Sequence, residues 1–74
     1  MKEITIYLTN YEDYSIIRLR RESMINSTLI GDLTTNDLLQ ILQQSFVFCE
    51  IDSDPTYETK FIVNTRNIAK ISFK

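Results

Sequence analysis

Three arginines, Arg18, Arg20 and Arg21, lie within a stretch of four residues. A guanidinium presents its donors in a rigid fork that matches a phosphate, and it also stacks on aromatic faces. If residues 14–21 run as a strand, alternation puts Tyr14, Ile16, Arg18 and Arg20 on one face. Tyr7, with Tyr11 close by in sequence, adds aromatic area, and cations mixed with rings are what single-stranded nucleic acid binds. The competing reading is a solvated sheet face whose arginines meet Glu3, Glu12 or Glu22 across strands. Lys60, Arg66 and Lys70 extend the patch only if strand register brings them to it.

The other chemically capable residues point away from catalysis. The chain has no His, which removes the commonest general base and the commonest transition-metal ligand. Cys49 therefore has no imidazole to draw off its proton. It sits in the run FVFCEID with Val47 and Ile51 on the same face, a position that suits a small core residue. Asp52 and Asp54, with Glu50 and Glu58 nearby, have the oxygen chemistry to hold Ca²⁺ or Mg²⁺. They lack the Gly and the distal Glu of a calcium loop, so a solvated turn is the expected reading and no metal site is assigned. Asn26-Ser27-Thr28 matches a glycosylation acceptor in form and reads as a polar turn. One glycine in the chain leaves no glycine-rich phosphate loop, and no cofactor motif or small-molecule substrate is implied. A non-enzymatic protein is the expectation.

Composition places these residues on a small folded body. Seventy-four residues with 43% hydrophobic content are expected to make one domain, 1–74, near the size at which a core alone is just sufficient. The formal charge of −2 supplies no global attraction to nucleic acid, so any such role would be local. One cysteine, no signal-like start and no apolar run of membrane length point to a soluble protein of the cytosol. The frequent Ile and Asn suit an AT-rich genome, and a small acidic interaction protein of a bacterium, phage or mobile element is the expected kind of source.

Periodicity supplies the elements. Ile4, Ile6 and Leu8 alternate with Glu3, Thr5, Tyr7 and Thr9, the pattern of a half-buried strand. Asn10 to Asp13 form a polar turn into a second strand over 14–21, and a hairpin follows. Within 23–33, Asn26-Ser27 and Gly31-Asp32 punctuate the chain, leaving room for one short strand or an irregular loop. Thr34 and Asp37 have capping-box spacing ahead of Leu38, Ile41 and Leu42, which predicts a helix over about 35–45 with Leu39 and Phe46 widening its apolar stripe. Strands follow at FVFCEID, TYETKFIV and NIAKISF, separated by turns at Asp52–Pro55 and Asn64–Asn67. The ending FIVNTRNIAKISF has the form of a closing hairpin in small β-barrel proteins, a pattern too common to name a family.

The expected fold class is α+β: a small antiparallel sheet of five to six strands, able to curl toward a barrel, with one helix packed on it. The helix adds a functional clue. Its outward positions Asn36, Gln40, Gln43 and Gln44 carry no charge, and interface cores are depleted of charge. A module that binds a protein partner or its own copies through Gln40, Gln43 and Gln44, or through a sheet edge, is the leading expectation. Nucleic-acid binding through Tyr7, Tyr14, Arg18, Arg20 and Arg21 is the alternative.

Overall fold

The computed structural model describes residues 1–9, 14–52 and 60–74, the side chain of Tyr14 excepted. The expected turns at 10–13 and 52–55 fall wholly or largely outside these residues, as do Tyr11, Glu12, Asp54 and Glu58.

Among the described residues, seven antiparallel strands form two sheets. The first sheet contains β1 (Glu3–Thr9), β2 (Tyr14–Arg20) and β7 (Ile68–Phe73), in the order β2-β1-β7. The second contains β3 (Met24–Ile25), β4 (Thr28–Leu29), β5 (Phe46–Glu50) and β6 (Lys60–Asn64), in the order β4-β3-β5-β6. The helix α1 spans Thr35–Ile41. The α+β class stands. The single barrel-like sheet of five to six strands does not: the described residues form two sheets of three and four strands, and neither closes.

The division follows from the connections. β1 and β2 pair in full register from Glu3 opposite Arg20 to Thr9 opposite Tyr14, so the expected hairpin is present. After Arg20 the chain turns sharply, with the Ser23 amide donating to the Arg20 carbonyl at 2.9 Å, and enters the second sheet. It returns at Thr65–Asn67, a 3-10 turn opened by the Asn64 side chain, which accepts from the Arg66 amide at 3.0 Å. β6 and β7 are therefore not a hairpin. β6 pairs with β5 and β7 with β1, because the helical twist at 65–67 turns the strand out of one sheet and into the other.

Residues 23–33 hold more structure than one short strand. β3 and β4 form a two-residue hairpin through Asn26 (φ 49°) and Ser27 (φ 66°), and a 3-10 turn follows at Ile30–Asp32. Both turn residues have positive φ, the geometry that matches strand twist in a tight hairpin. Asn26 also continues the strand pairing: its amide donates to the Phe48 carbonyl at 2.7 Å, and its side-chain oxygen accepts from the Phe48 amide at 2.9 Å.

The capping box forms as expected. The Asp37 amide donates to Thr34 Oγ1 and the Thr34 amide to Asp37 Oδ2, each at 3.1 Å. The helix nevertheless stops at Ile41, one turn short of the expected end near position 45. The amides of Gln43 and Gln44 bond only three residues back, and Thr65 takes the carbonyls of Gln44 and Ser45, drawing the chain into β5. Leu38 and Ile41 enter the core, but Leu39 and Phe46 do not join the stripe and stand more than half exposed. Leu39 lies about 100° around the helix from Leu38, and Phe46 has the strand parity opposite to Val47.

The core is shared. Ile4, Ile6 and Leu19 come from the first sheet, Ile25, Val47, Cys49 and Val63 from the second, and Ile30, Leu33, Leu38 and Ile41 from the segment between β4 and β5. No helix among the described residues is long and apolar enough to cross a membrane.

Candidate functional site

With the inward positions filled by core side chains, the outward faces carry the exposed groups. In the first sheet, β1 presents Glu3, Thr5, Tyr7 and Thr9 on the side opposite Ile4 and Ile6. Register sets Arg18 beside Thr5, Ile16 beside Tyr7, and Arg20 beside Glu3. On the other flank Ser72 meets Thr5 and Lys70 meets Tyr7. The Lys70 Nζ lies 5.0 Å from the Tyr7 ring centroid, within cation–π range. Arg18 Nε is 3.4 Å from Glu3 Oε1, and Lys74 Nζ is 4.0 Å from Glu3 Oε2. Among the described residues this face gathers four cations, Arg18, Arg20, Lys70 and Lys74, around one carboxylate.

The sequence-predicted arginine patch is thus partly assembled. Tyr7, Arg18 and Arg20 share the face, and Lys70 joins them. Arg21 does not: it lies beyond the end of β2, its carbonyl accepts from the Gly31 amide at 3.0 Å, and its side chain runs along Gly31. Tyr14 pairs with Thr9 at the far end of the ladder. Lys60 and Arg66 belong to the second sheet and its exit turn. The cross-strand pairing with Glu3 that competes with ligand binding is also present, at Arg18.

The outward face of the second sheet has a different character. Val47, Cys49 and Val63 point into the core, so Phe46, Phe48, Glu50, Lys60, Ile62 and Asn64 point away from it. Phe48 pairs with Ile62 and Glu50 with Lys60. Met24 continues the row beyond Glu50, and Leu29 lies beyond Met24. Ile62 is 69% exposed, Phe46 59% and Leu29 39%, while Phe48 and Met24 are half-buried. Five large apolar side chains therefore cover one outer sheet face. Strand alternation read from FVFCEID alone hides this face. The signal was there: FVFC is apolar at both parities, the mark of a strand covered on both sides.

The glutamines are divided. Gln40 is exposed on α1, whereas Gln43 and Gln44 lie in the turn after it. The Gln44 side-chain oxygen accepts from Asn26 Nδ2 at 3.2 Å, so this residue ties the helix exit to the β3–β4 turn. Gln40 and Gln44 line one open polar depression of about 310 Å³ with Asn26 and Thr28. Gln43 and Gln44 line another beside Thr65 and Arg66.

Cys49 is fully buried, and burial pushes its thiol up to about 11. It is core, as its spacing predicted. Asp52 is tied through its amide to Ser23 Oγ at 3.2 Å, and no group of three metal-ligating side chains gathers among the described residues. No family model, no curated protein and no solved structure matches the chain.

Proposed function

We propose that this protein is a non-enzymatic interaction module of the cytosol that binds another protein chain through the outward face of its second sheet. The observation that carries the reading is the exposed apolar set Phe46, Phe48, Ile62, Met24 and Leu29 on one face. Single exposed apolar residues are ordinary on a soluble protein, but a contiguous group rimmed by polar residues marks a contact surface. Here Glu50, Lys60, Asn26 and Asn64 provide the rim. Aromatic anchors at the centre of such a patch contribute most of the binding energy in protein interfaces. Gln40 and Gln43 remain a secondary contact, uncharged and exposed, with Leu39 beside them on α1.

A second reading has its own observation. The outward face of the first sheet concentrates four cations beside Tyr7 on a chain whose net charge is −2. That arrangement suits a phosphate backbone. It ranks below the first reading because Lys70 already covers one face of Tyr7 and Glu3 already engages Arg18.

One experiment separates the two. The tagged protein is captured from its native cells at low and high salt, alongside Ile62→Asp and an Arg18→Glu/Arg20→Glu double variant. Protein partners that survive high salt and disappear only with Ile62→Asp support the first reading. Nucleic acid that is lost at high salt and in the double arginine variant, with no effect of Ile62→Asp, replaces it with the second.

A further inference from the structure

We infer that the outward face of the second sheet is a two-fold interface between two copies of this chain. The inference rests on reading that face as a contact surface, and it names the occupant. The reason is self-complementarity. Two identical sheets that stack face to face are related by an axis lying in the plane between them. Place that axis parallel to the strands and midway between β5 and β6. Every residue of β5 then faces, at the same height, its own β6 ladder partner in the other copy.

The observed register makes the central encounters favourable. Phe48 and Ile62 are ladder partners, so Phe48 meets the second copy's Ile62, and the converse contact repeats it. Glu50 and Lys60 are ladder partners, so Glu50 meets the second copy's Lys60, again twice. Phe46 meets the second copy's Asn64 at the opposite end, a contact without charge. Among the described residues Glu50 and Lys60 do not form an ion pair within one chain, although strand pairing sets them side by side. The dimer has two apolar contacts at its centre and two opposite-charge contacts beside them. A face with two acids or two bases at these positions would repel its own copy.

Size sets the strength. The axis sets only β5 and β6 of each copy face to face, and two strands at about 4.8 Å spacing and five residues at about 3.3 Å give a projected overlap of roughly 160 Å². Stable complexes bury about 800 Å² on each partner. The dimer is accordingly a weak one, whose population changes with protein concentration.

Sedimentation velocity over a concentration series tests this directly. The wild-type chain is expected to move from monomer to dimer as concentration rises, and Ile62→Asp to weaken the dimer at least about tenfold. Glu50→Lys alone and Lys60→Glu alone should each weaken it, because each sets like charges face to face. An equimolar mixture of those two single variants should restore association, since every facing pair is then of opposite sign. Circular dichroism on each variant checks that the fold is kept, as all three positions point away from the core. A wild-type monomer at every concentration overturns the inference, as does a dimer indifferent to Ile62→Asp or a mixture that fails to associate. The broader reading fails separately: it falls only if Ile62→Asp also leaves the cellular protein partners unchanged.

Discussion

Cys49 shows at the residue scale how position decides chemistry. A thiol with no imidazole in the chain, paired across strands with Ile25 and Phe61 and fully buried, is held protonated by burial, at about 11 against an ordinary 9.0. Ellman's reagent at pH 8 should therefore label the native protein far more slowly than the urea-unfolded chain. Because the folded value is the higher one, any effect on stability lies in alkali: the unfolded thiol ionises first, and stability falls as pH rises between about 9 and 11. Ser27 makes a different point. Its φ of 66° is a conformation that glycine adopts freely and other residues enter at a cost. Ser27→Gly is expected to raise the urea-unfolding free energy by about 0.5–1 kcal/mol, the relief of strain outweighing the added freedom of the unfolded chain.

At the scale of elements, the clearest sequence signals were local and chemical. Thr34 and Asp37 announced the helix start, and the reciprocal hydrogen bonds are present. Thr34→Ala should lower stability by about 1 kcal/mol in the same urea titration. The backbone and hydroxyl hydrogen bonds from Thr34 hold the Asp37 carboxyl below its ordinary 3.8. Its contribution is therefore complete above about 3.8 and is lost as pH falls through the lower folded value. A thermal-melt series from pH 6 to pH 2 should show that loss in the wild type and a smaller one in Asp37→Asn. The helix end was not legible. No Gly or Pro stops the chain after Ile41; the stop comes from Thr65, distant in sequence, binding the carbonyls of Gln44 and Ser45. The β6–β7 connection was misread for a related reason. Two alternating runs joined by a short turn look like a hairpin in sequence, and only the 3-10 twist at 65–67 sends them to different sheets.

At the scale of the whole molecule, the two open sheets of the described residues share one core and present two unlike outer faces, one basic with Tyr7 at its centre, the other apolar around Phe48 and Ile62. The basic face was half legible, because Arg18 and Arg20 alternate correctly within one strand. Lys70 joined them only through register between strands far apart in sequence. The apolar face was hidden for the same reason: Met24, Leu29, Phe46, Phe48 and Ile62 come from four strands, and no single strand shows more than two of them. The assignment of contact to that face is tested most directly by photo-crosslinking in living cells. A benzophenone side chain is placed at position 62 in one variant and at position 18 in another, and the adducts are identified by mass spectrometry. Protein adducts at position 62, including the chain itself, with none at position 18, are the expected result. Adducts confined to position 18, with position 62 silent, would contradict the assignment.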